Sequence, residues 1–381
     1  MLEQFLGVPF TLLSFVLVLT MVVFVHEFGH FYIARKNGVF CQAFSIGFGP
    51  ELFGYTDKHG TRWKFSLIPL GGYVKMLGEG ETMQVIEGGV EGEKDKTKHV
   101  PRELTPEEKL VSFKHKTVAQ RAAIVFAGPA INFLFAIVVF WVMFMTIGRP
   151  VTAPVIGQVV EGSAAAEAGL LAQDRVKSIN GKTITRFEDI RNTVPLSDGS
   201  AMSVVVERAG AEQTLSVTPR MSAEQDAFGN TQKRYVLGIV QSDETSRTVI
   251  LNPVEALGTS VSQTYEVVEG TFIAMGQIVA GKRGTEDLGG PIRIAQYSGQ
   301  AAKTGVVGFI AFVAILSINL GLINLFPVPM LDGGHLLFYA IEAVRGRPLS
   351  EQAQEWGLRV GLALVGALML FVTWNDIKHV F

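Results

Sequence analysis

The sequence predicts a polytopic α-helical membrane protein of four transmembrane helices, with one soluble α+β module inserted between the second and the third. Hydrophobic residues make up 48% of the 381 and charged residues only 18%, too apolar a balance for an ordinary soluble domain of this size. Four apolar stretches are long enough to cross a bilayer as helices. Between the second and third, the pattern changes to short strands punctuated by turns.

The first span covers about Phe10 to Phe31, and Val8 to Val25 holds no charge. At its far end stands His26-Glu27-Phe28-Gly29-His30. The histidines are i and i+4, so both imidazoles lie on one side of a helix, the spacing a zinc ion needs from two ligands on one element. Glu27 is placed to act as general base on a metal-bound water. An ionisable residue deep in a span costs roughly 2.5–3.5 kcal/mol, so such a group implies a use. The run fits a retained span better than a signal peptide, since Met1-Leu2-Glu3-Gln4 has no positive charge and Arg35 and Lys36 follow the apolar stretch. That asymmetry puts the N-terminus outside and the far end of the span in the cytoplasm.

Phe44 to Met76 reads as short strands: Glu51 to Tyr55, a turn at Asp57-Lys58-His59-Gly60, Arg62 to Leu67, a turn at Pro69-Leu70-Gly71-Gly72, then Tyr73 to Met76. They are too few to stand alone and lean on the spans. Glu79 to Lys109 alternates Glu and Lys without apolar periodicity, a solvated cytoplasmic loop. The second span, about Ala122 to Ile147, ends at Gly148-Arg149-Pro150. Asn132, after Gly128-Pro129, reads as helix–helix glue.

Val151 to Gln241 is the soluble module. Strands are expected at Val155 to Val160, Arg175 to Ile179 before the tight Asn180-Gly181 turn, Met202 to Glu207, Gln213 to Val217, and Tyr235 to Val240. Short helices are expected at Ser163 to Ala168 and Phe187 to Val194. The segment from Gly162-Ser163-Ala164-Ala165-Ala166-Glu167-Ala168-Gly169-Leu170 through Asp174-Arg175-Val176 to Ile179-Asn180-Gly181 resembles a PDZ domain, which binds an extended peptide by strand addition. Following an outgoing span, the module lies outside the cytoplasm. Thr271 to Gly281 is about half a crossing long and reads as interfacial or re-entrant. The third span is about Val306 to Phe326 and the fourth about Gly357 to Thr373, with Arg345 and Arg347 between them on the cytoplasmic side. The C-terminus returns outside. Net charge is −2, which gives no sign of nucleic-acid binding, and the single cysteine, Cys41, reads as a small buried hydrophobe.

A catalytic zinc site takes a third protein ligand. His59, His99 and His115 fall in the cytoplasmic segment and His379 at the chain end. Asp332, in Asn324-Leu325-Phe326-Pro327-Val328-Pro329-Met330-Leu331-Asp332-Gly333, is the better candidate, with His335 the alternative. The first and third spans run in the same direction, so the histidines and Asp332 reach the cytoplasmic side at compatible depths. Pro327 and Pro329 stop the third helix there, where irregular backbone is tolerated only if buried in protein or lining a wet cavity.

Taken in order, HEFGH, Gly47-Phe48-Gly49, Phe65 to Val74, Ala127-Gly128-Pro129-Ala130-Ile131-Asn132-Phe133, the module and NxxPxPxLDG resemble the site-2 protease family of intramembrane zinc metalloproteases, in the branch of the bacterial regulator of sigma-E protease. The best-known members of that branch carry two PDZ domains; this chain has room for one. The resemblance implies one Zn2+ held by His26, His30 and Asp332, Glu27 as catalytic base, Asn324 as a substrate-orienting residue, and a re-entrant sheet at Phe44 to Met76 whose edge at Gly71, Gly72 and Tyr73 meets substrate. It implies single-span substrates of the anti-sigma-factor type, clipped on the outer side, or leftover signal peptides. A peptide or C-terminus would be the partner of the PDZ domain, in the inner membrane of a bacterium. The expected organisation is 1–150, N-terminal membrane part; 151–241, PDZ domain; 242–305, connecting segment; 306–381, C-terminal membrane part. Two rival readings are a non-catalytic PDZ-bearing membrane scaffold, which has no need of Glu27, and a metal-ion transporter, which would spread polar residues through the depth of the spans.

Overall fold

The computed structural model describes residues 2–79, 104–225, 231–242, 246–281, 284–285 and 288–380. The chain forms two compact units, residues 1–136 with 289–381 and residues 137–288. The Glu- and Lys-rich stretch from 80 to 103 lies outside the described residues.

Helix α1 (Leu2–Lys36) is longer than its apolar run, because the helix continues through polar turns at both ends. Arg35 and Lys36 close it, where cations complement the helix dipole. Two long bent strands follow, β1 (Cys41–Thr56) and β2 (Arg62–Met76), rather than the three short ones expected. The first part of β1 pairs on one side with the end of β2, from Cys41↔Met76 to Ile46↔Gly72. On the other side it meets the start of β2, from Ala43↔Arg62 to Ile46↔Phe65, running in the same direction. The second part of β1 then pairs with that start, from Glu51↔Ser66 to Thr56↔Arg62. The result is a four-row sheet made from two strands. Each strand bends where glycine permits positive φ: Gly47 (φ +89°) in β1 and Gly71 (φ +126°) in β2. Gly71-Gly72 is therefore a bend inside a strand, not a turn between two.

The sheet leans on α1 through an aromatic cluster. Phe44 stacks on Trp63 at 4.5 Å, and Phe31 of α1 meets both rings edge-on. At the far turn Asp57 accepts from the Thr61 and His59 N–H groups and from the Trp63 indole, and pairs with Arg35 at 3.0 Å. Against the opposing effect of burial, those bonds hold its carboxyl down at about 2. Cys41 is buried, and burial pushes its thiol up to about 12, so it packs as an inert small residue. Helix α2 (Pro106–Val111) begins inside the segment expected to be loop, because Thr105 and Glu108 form a reciprocal capping box. Helix α3 (Val118–Thr146) starts before the apolar pattern and contains Pro129. It crosses α1 closely: a Cβ on Gly29 would lie 2.4 Å from the Ala127 carbonyl oxygen.

The second unit takes over from residue 137. Its elements are β3 (Arg149–Thr152), β4 (Ile156–Val159), α4 (Ala164–Glu167), β5 (Arg175–Ile179), β6 (Lys182–Thr183), α5 (Phe187–Thr193), β7 (Met202–Arg208), β8 (Ala211–Val217), β9 (Arg220–Gln225), β10 (Thr231–Val236), β11 (Ile239–Gln241) and β12 (Ser246–Val249). A four-stranded sheet has the order β6-β5-β7-β8, β4 pairs with β11, and β12 returns to β3. Ile156, Leu170, Val176, Ile179, Val204, Val206 and Val217 form its core. The strand expected at Tyr235 to Val240 is broken at Leu237-Gly238, where Gly238 takes φ +79° against the Ser163 side chain. The β9–β10 hairpin has no apolar alternation to announce it. Helix α6 (Pro253–Val279), capped by Asn252, absorbs the piece expected to be an interfacial half-crossing. It belongs to this unit: Gln277 donates to the Ser197 carbonyl, and Glu266 lies 3.7 Å from Arg186. The connecting segment 242–305 is thus not one piece but divides near residue 288.

The chain returns to the first unit with α7 (Pro291–Lys303), α8 (Val306–Asn324), α9 (Asp332–Arg345) and α10 (Glu351–Val380). Buried Asp376 of α10 accepts from the N–H groups of Gly290, Ile292 and Arg293, tying the start of α7 to the last helix. Val313 of α8 packs on Val18 and Val22 of α1. Among the described residues, four helices are long and apolar enough to cross a membrane: Gly7–Lys36, Val118–Thr146, Val306–Asn324 and Glu351–Lys378.

In the second unit, Asp174 is buried and receives two hydrogen bonds from Arg208, at 2.7 and 2.6 Å. Burial alone would raise its carboxyl pKa; the Arg208 bonds and the Leu171 N–H outweigh it and leave the group below the usual carboxylate range. Its stabilisation is therefore present above about pH 4 and lost as pH falls through the lower folded value. Thermal unfolding of this unit should show falling stability on acidification below about pH 4. Arg208→Leu should lower the stability of this unit at neutral pH and flatten that acid limb; an unchanged profile would contradict the pairing.

Candidate metal centre

Helix α1 brings His26 and His30 to one face, both more than nine-tenths buried. Their rings stand edge-on at 4.8 Å, with the two Nε2 atoms 3.2 Å apart. Asp332 comes from the other end of the sequence. Its Oδ2 lies 3.1 Å from His26 Nε2 and 3.4 Å from His30 Nε2.

The route to Asp332 is a tightly wound loop. Helix α8 stops at Asn324, two residues short of the expected end, because Pro327 and Pro329 cannot continue it. Leu325 and Phe326 form a turn, Leu331 N–H donates to Val328 O, and Met330 takes φ +117°. A Cβ on Gly333 would sit 2.3 Å from the Leu325 and Phe326 carbonyl oxygens, and one on Gly334 would sit 2.4 Å from Val328 O. Only glycine lets the loop fold back over the start of α9. Asp332 opens α9, where the helix N-terminus favours a negative charge.

The three atoms fit a divalent cation. A tetrahedral zinc with bonds of about 2.0–2.1 Å has ligand–ligand edges of roughly 3.3–3.4 Å, and the observed separations are 3.1, 3.2 and 3.4 Å. His30 Nδ1 donates to the Ile124 carbonyl at 2.9 Å, so its Nε2 carries a bare lone pair. Asp332 Oδ2 is buried and makes no hydrogen bond despite its closeness to both rings. Two imidazole nitrogens and a carboxylate oxygen converging at this distance are a donor set that a divalent cation takes. Among the described residues this is the group of side chains whose ligand atoms converge in this way. His335 is outside it, one turn along α9 with its ring edge-on to Phe338.

Of the other expected site residues, Glu27, Gly72 and Asn324 lie beside these three, while Gly71 packs on Phe48. Glu27 follows His26 on α1, and its Cγ lies within 3.4 Å of where a Cβ on Gly72 would be. Gly72 therefore lets the β2 edge approach the Glu27 side chain. Tyr73 pairs with Ser45 in the sheet, and its ring lies beside Phe48 and Lys64. Asn324, the last residue of α8, places Nδ2 3.4 Å from His26 Nε2. Glu79 is not solvated loop: just past the end of β2, its Oε2 accepts from the Met76 N–H, and burial pushes its carboxyl up to about 7.

Two residues of α3 stand at the centre although the sequence gives Asn132 only a helix–helix role and Gly128 none. Gly128 packs against both imidazoles, and Asn132 lies 3.2 Å from His26 Nδ1. Their spacing of four, matching that of the histidines, was the available signal. A Cβ on Gly128 would stand 2.2 Å from His30 Nε2 and 2.9 Å from His26 Cε1. Gly128→Ala should displace the rings and leave the purified protein with far less than one bound zinc per chain. Elemental analysis checks this, and full zinc occupancy in the variant would contradict it.

A family model described as Peptidase family M50 matches residues 14–368. A protein of Agrobacterium fabrum provisionally named a zinc metalloprotease is 45% identical over 370 residues, covering 96% of this chain and 95% of its own. A similarly named protein of Rhizobium meliloti is 43% identical over 377 residues, covering 98% of each chain. Zinc metalloprotease RasP of Geobacillus kaustophilus is 34% identical over 427 positions, covering 97% and 98%.

Proposed function

Since the chain belongs to peptidase family M50, the site-2 protease family of zinc metalloproteases, we propose that it hydrolyses peptide bonds within or near the transmembrane segment of single-span membrane proteins. The observation that carries this is the meeting of His26, His30 and Asp332 beside Glu27, on helices apolar enough to lie in a bilayer. In this reading His26, His30 and Asp332 hold the zinc. Zinc bound there would supply Lewis acidity, making water a nucleophile at neutral pH and polarising a carbonyl.

The chain's own residues do the rest. Glu27 takes the proton of the attacking water and returns it to the leaving amine nitrogen. Asn324, with its amide against the ligand cluster, orients the extended substrate backbone. A transmembrane helix hides its carbonyls in i to i−4 hydrogen bonds. Once unwound, its freed groups need partners where water is scarce. The β2 edge at Gly71, Gly72 and Tyr73, which meets Glu27 at Gly72, would supply them by strand addition as a re-entrant sheet. Glu79 already takes the Met76 donor, which shortens the usable edge at that end.

Residues 151–241 act as a PDZ domain that excludes bulky ectodomains or reads a newly exposed C-terminus. Substrates are anti-sigma-factor-type proteins already clipped on the outer side, and leftover signal peptides offer the same chemistry. The protein sits in the bacterial inner membrane, with both termini and the PDZ domain outside and the centre near the cytoplasmic side.

Glu27→Gln should keep full zinc and lose cleavage of a model single-span substrate by about 10²–10⁴-fold; cleavage at the wild-type rate would remove Glu27 from the base role. Asn324→Ala should slow turnover with zinc retained, as read by single-turnover cleavage alongside metal analysis. Zinc loss in that variant would make Asn324 a support of the centre instead.

A further inference from the structure

Asn132 is fully buried in α3, and the reaction above leaves it without a task. It shares a stripe with Ile124 and Gly128 at four-residue steps, facing His30 and His26 at their own four-residue step. Ile124 O accepts from His30 Nδ1 at 2.9 Å, Gly128 gives the rings room, and Asn132 Nδ2 lies 3.2 Å from His26 Nδ1. The Oδ1 of the same side chain is buried with no partner. The Asn132 backbone carbonyl accepts from Ser317 Oγ at 3.1 Å, which anchors this turn to α8.

A carbonyl can only accept, so Ile124 fixes the proton on His30 Nδ1 and leaves Nε2 bare. His26 Nε2 faces the same centre, 3.1 Å from Asp332 Oδ2, and needs the same tautomer to ligate. An amide nitrogen donating into His26 Nδ1 would send the ring proton to Nε2, into the centre. The two ends of a carboxamide are nearly isosteric, and half a turn exchanges them. The exchange leaves the number of bonds made by Asn132 unchanged, so the imidazole decides between the two orientations.

Resting on the assignment of His26 as a zinc ligand, we infer that Asn132 is a positioning residue: its Oδ1 accepts from the Nδ1–H of His26 and holds that ring as an Nε2 ligand. With Ile124 O it completes a pair of acceptors behind the two histidines, both carried by α3. Acceptors behind metal-bound histidines fix ring orientation and tautomer, and their removal weakens metal binding by about 10–100-fold.

The test uses the full-length protein in detergent, titrated with Co2+ and with Zn2+ against a chromophoric chelator, with the cobalt d–d absorption as a second readout. Asn132→Leu should weaken both metals by about 10–100-fold and alter the cobalt spectrum. Asn132→Ala carries the same expectation should leucine not fit. Asn132→Asp keeps an acceptor and should bind within a few-fold of wild type. Ser317→Ala, which removes only the link to α8, should bind as wild type. Wild-type affinity and spectrum in Asn132→Leu or Asn132→Ala would overturn the inference. So would equal losses in Asn132→Asp and Asn132→Leu, the mark of a role in packing alone. Failure of the wild-type protein to bind either metal would overturn the ligand assignment first, and this inference with it.

Discussion

Three lone pairs, on His26 Nε2, His30 Nε2 and Asp332 Oδ2, are brought within 3.4 Å of one another inside a helical unit. That convergence is unfavourable by itself and costs desolvation of three polar groups. It is maintained by what lies behind it. The Ile124 carbonyl faces one imidazole from the rear and Asn132 the other. Gly29 and Gly128 let α1 and α3 approach until backbone meets side chain. Without a hydrophobic driving force between helices in lipid, such close small-residue contacts and internal hydrogen bonds provide the cohesion.

The sheet places the same constraint on the other side of α1. Two strands fold back on themselves into four rows, and the row nearest α1 presents Gly72 to Glu27. A side chain at that position would hold the edge away from the acid. The arrangement suits a substrate whose backbone has just lost its own hydrogen bonds, because a strand edge offers donors and acceptors at a fixed spacing. In the proposed reaction, binding of the unwound backbone and activation of water draw on neighbouring elements, the β2 edge and α1.

The second unit has a different physical basis. Its core residues Ile156, Val176, Val204, Val206 and Val217 lie on strands, and its strands pair among themselves. Helix α6 extends this unit by 27 residues with polar links at Glu266 and Gln277. That helix has apolar and polar positions interleaved over its whole length, so a window on its C-terminal half alone suggested a piece at a membrane interface.

The sequence by itself determined the number and order of the apolar helices, the i,i+4 histidines, and the loop motif around Asp332, because hydrophobic run length and local spacing are properties of neighbouring residues. It also determined that the module between the spans is built from short strands. Only the tertiary structure decided that β1 and β2 bend into four rows, that Glu79 turns back onto Met76, and that 242–288 joins the second unit while α7 joins the first. It alone put Gly128 and Asn132 behind the histidines and left His335 outside the cluster. Each of these depends on which surfaces of distant segments meet, and that is set by close approach and hydrogen-bond pairing in three dimensions; a local pattern such as the four-residue step of Gly128 and Asn132 marks a face without saying what it meets.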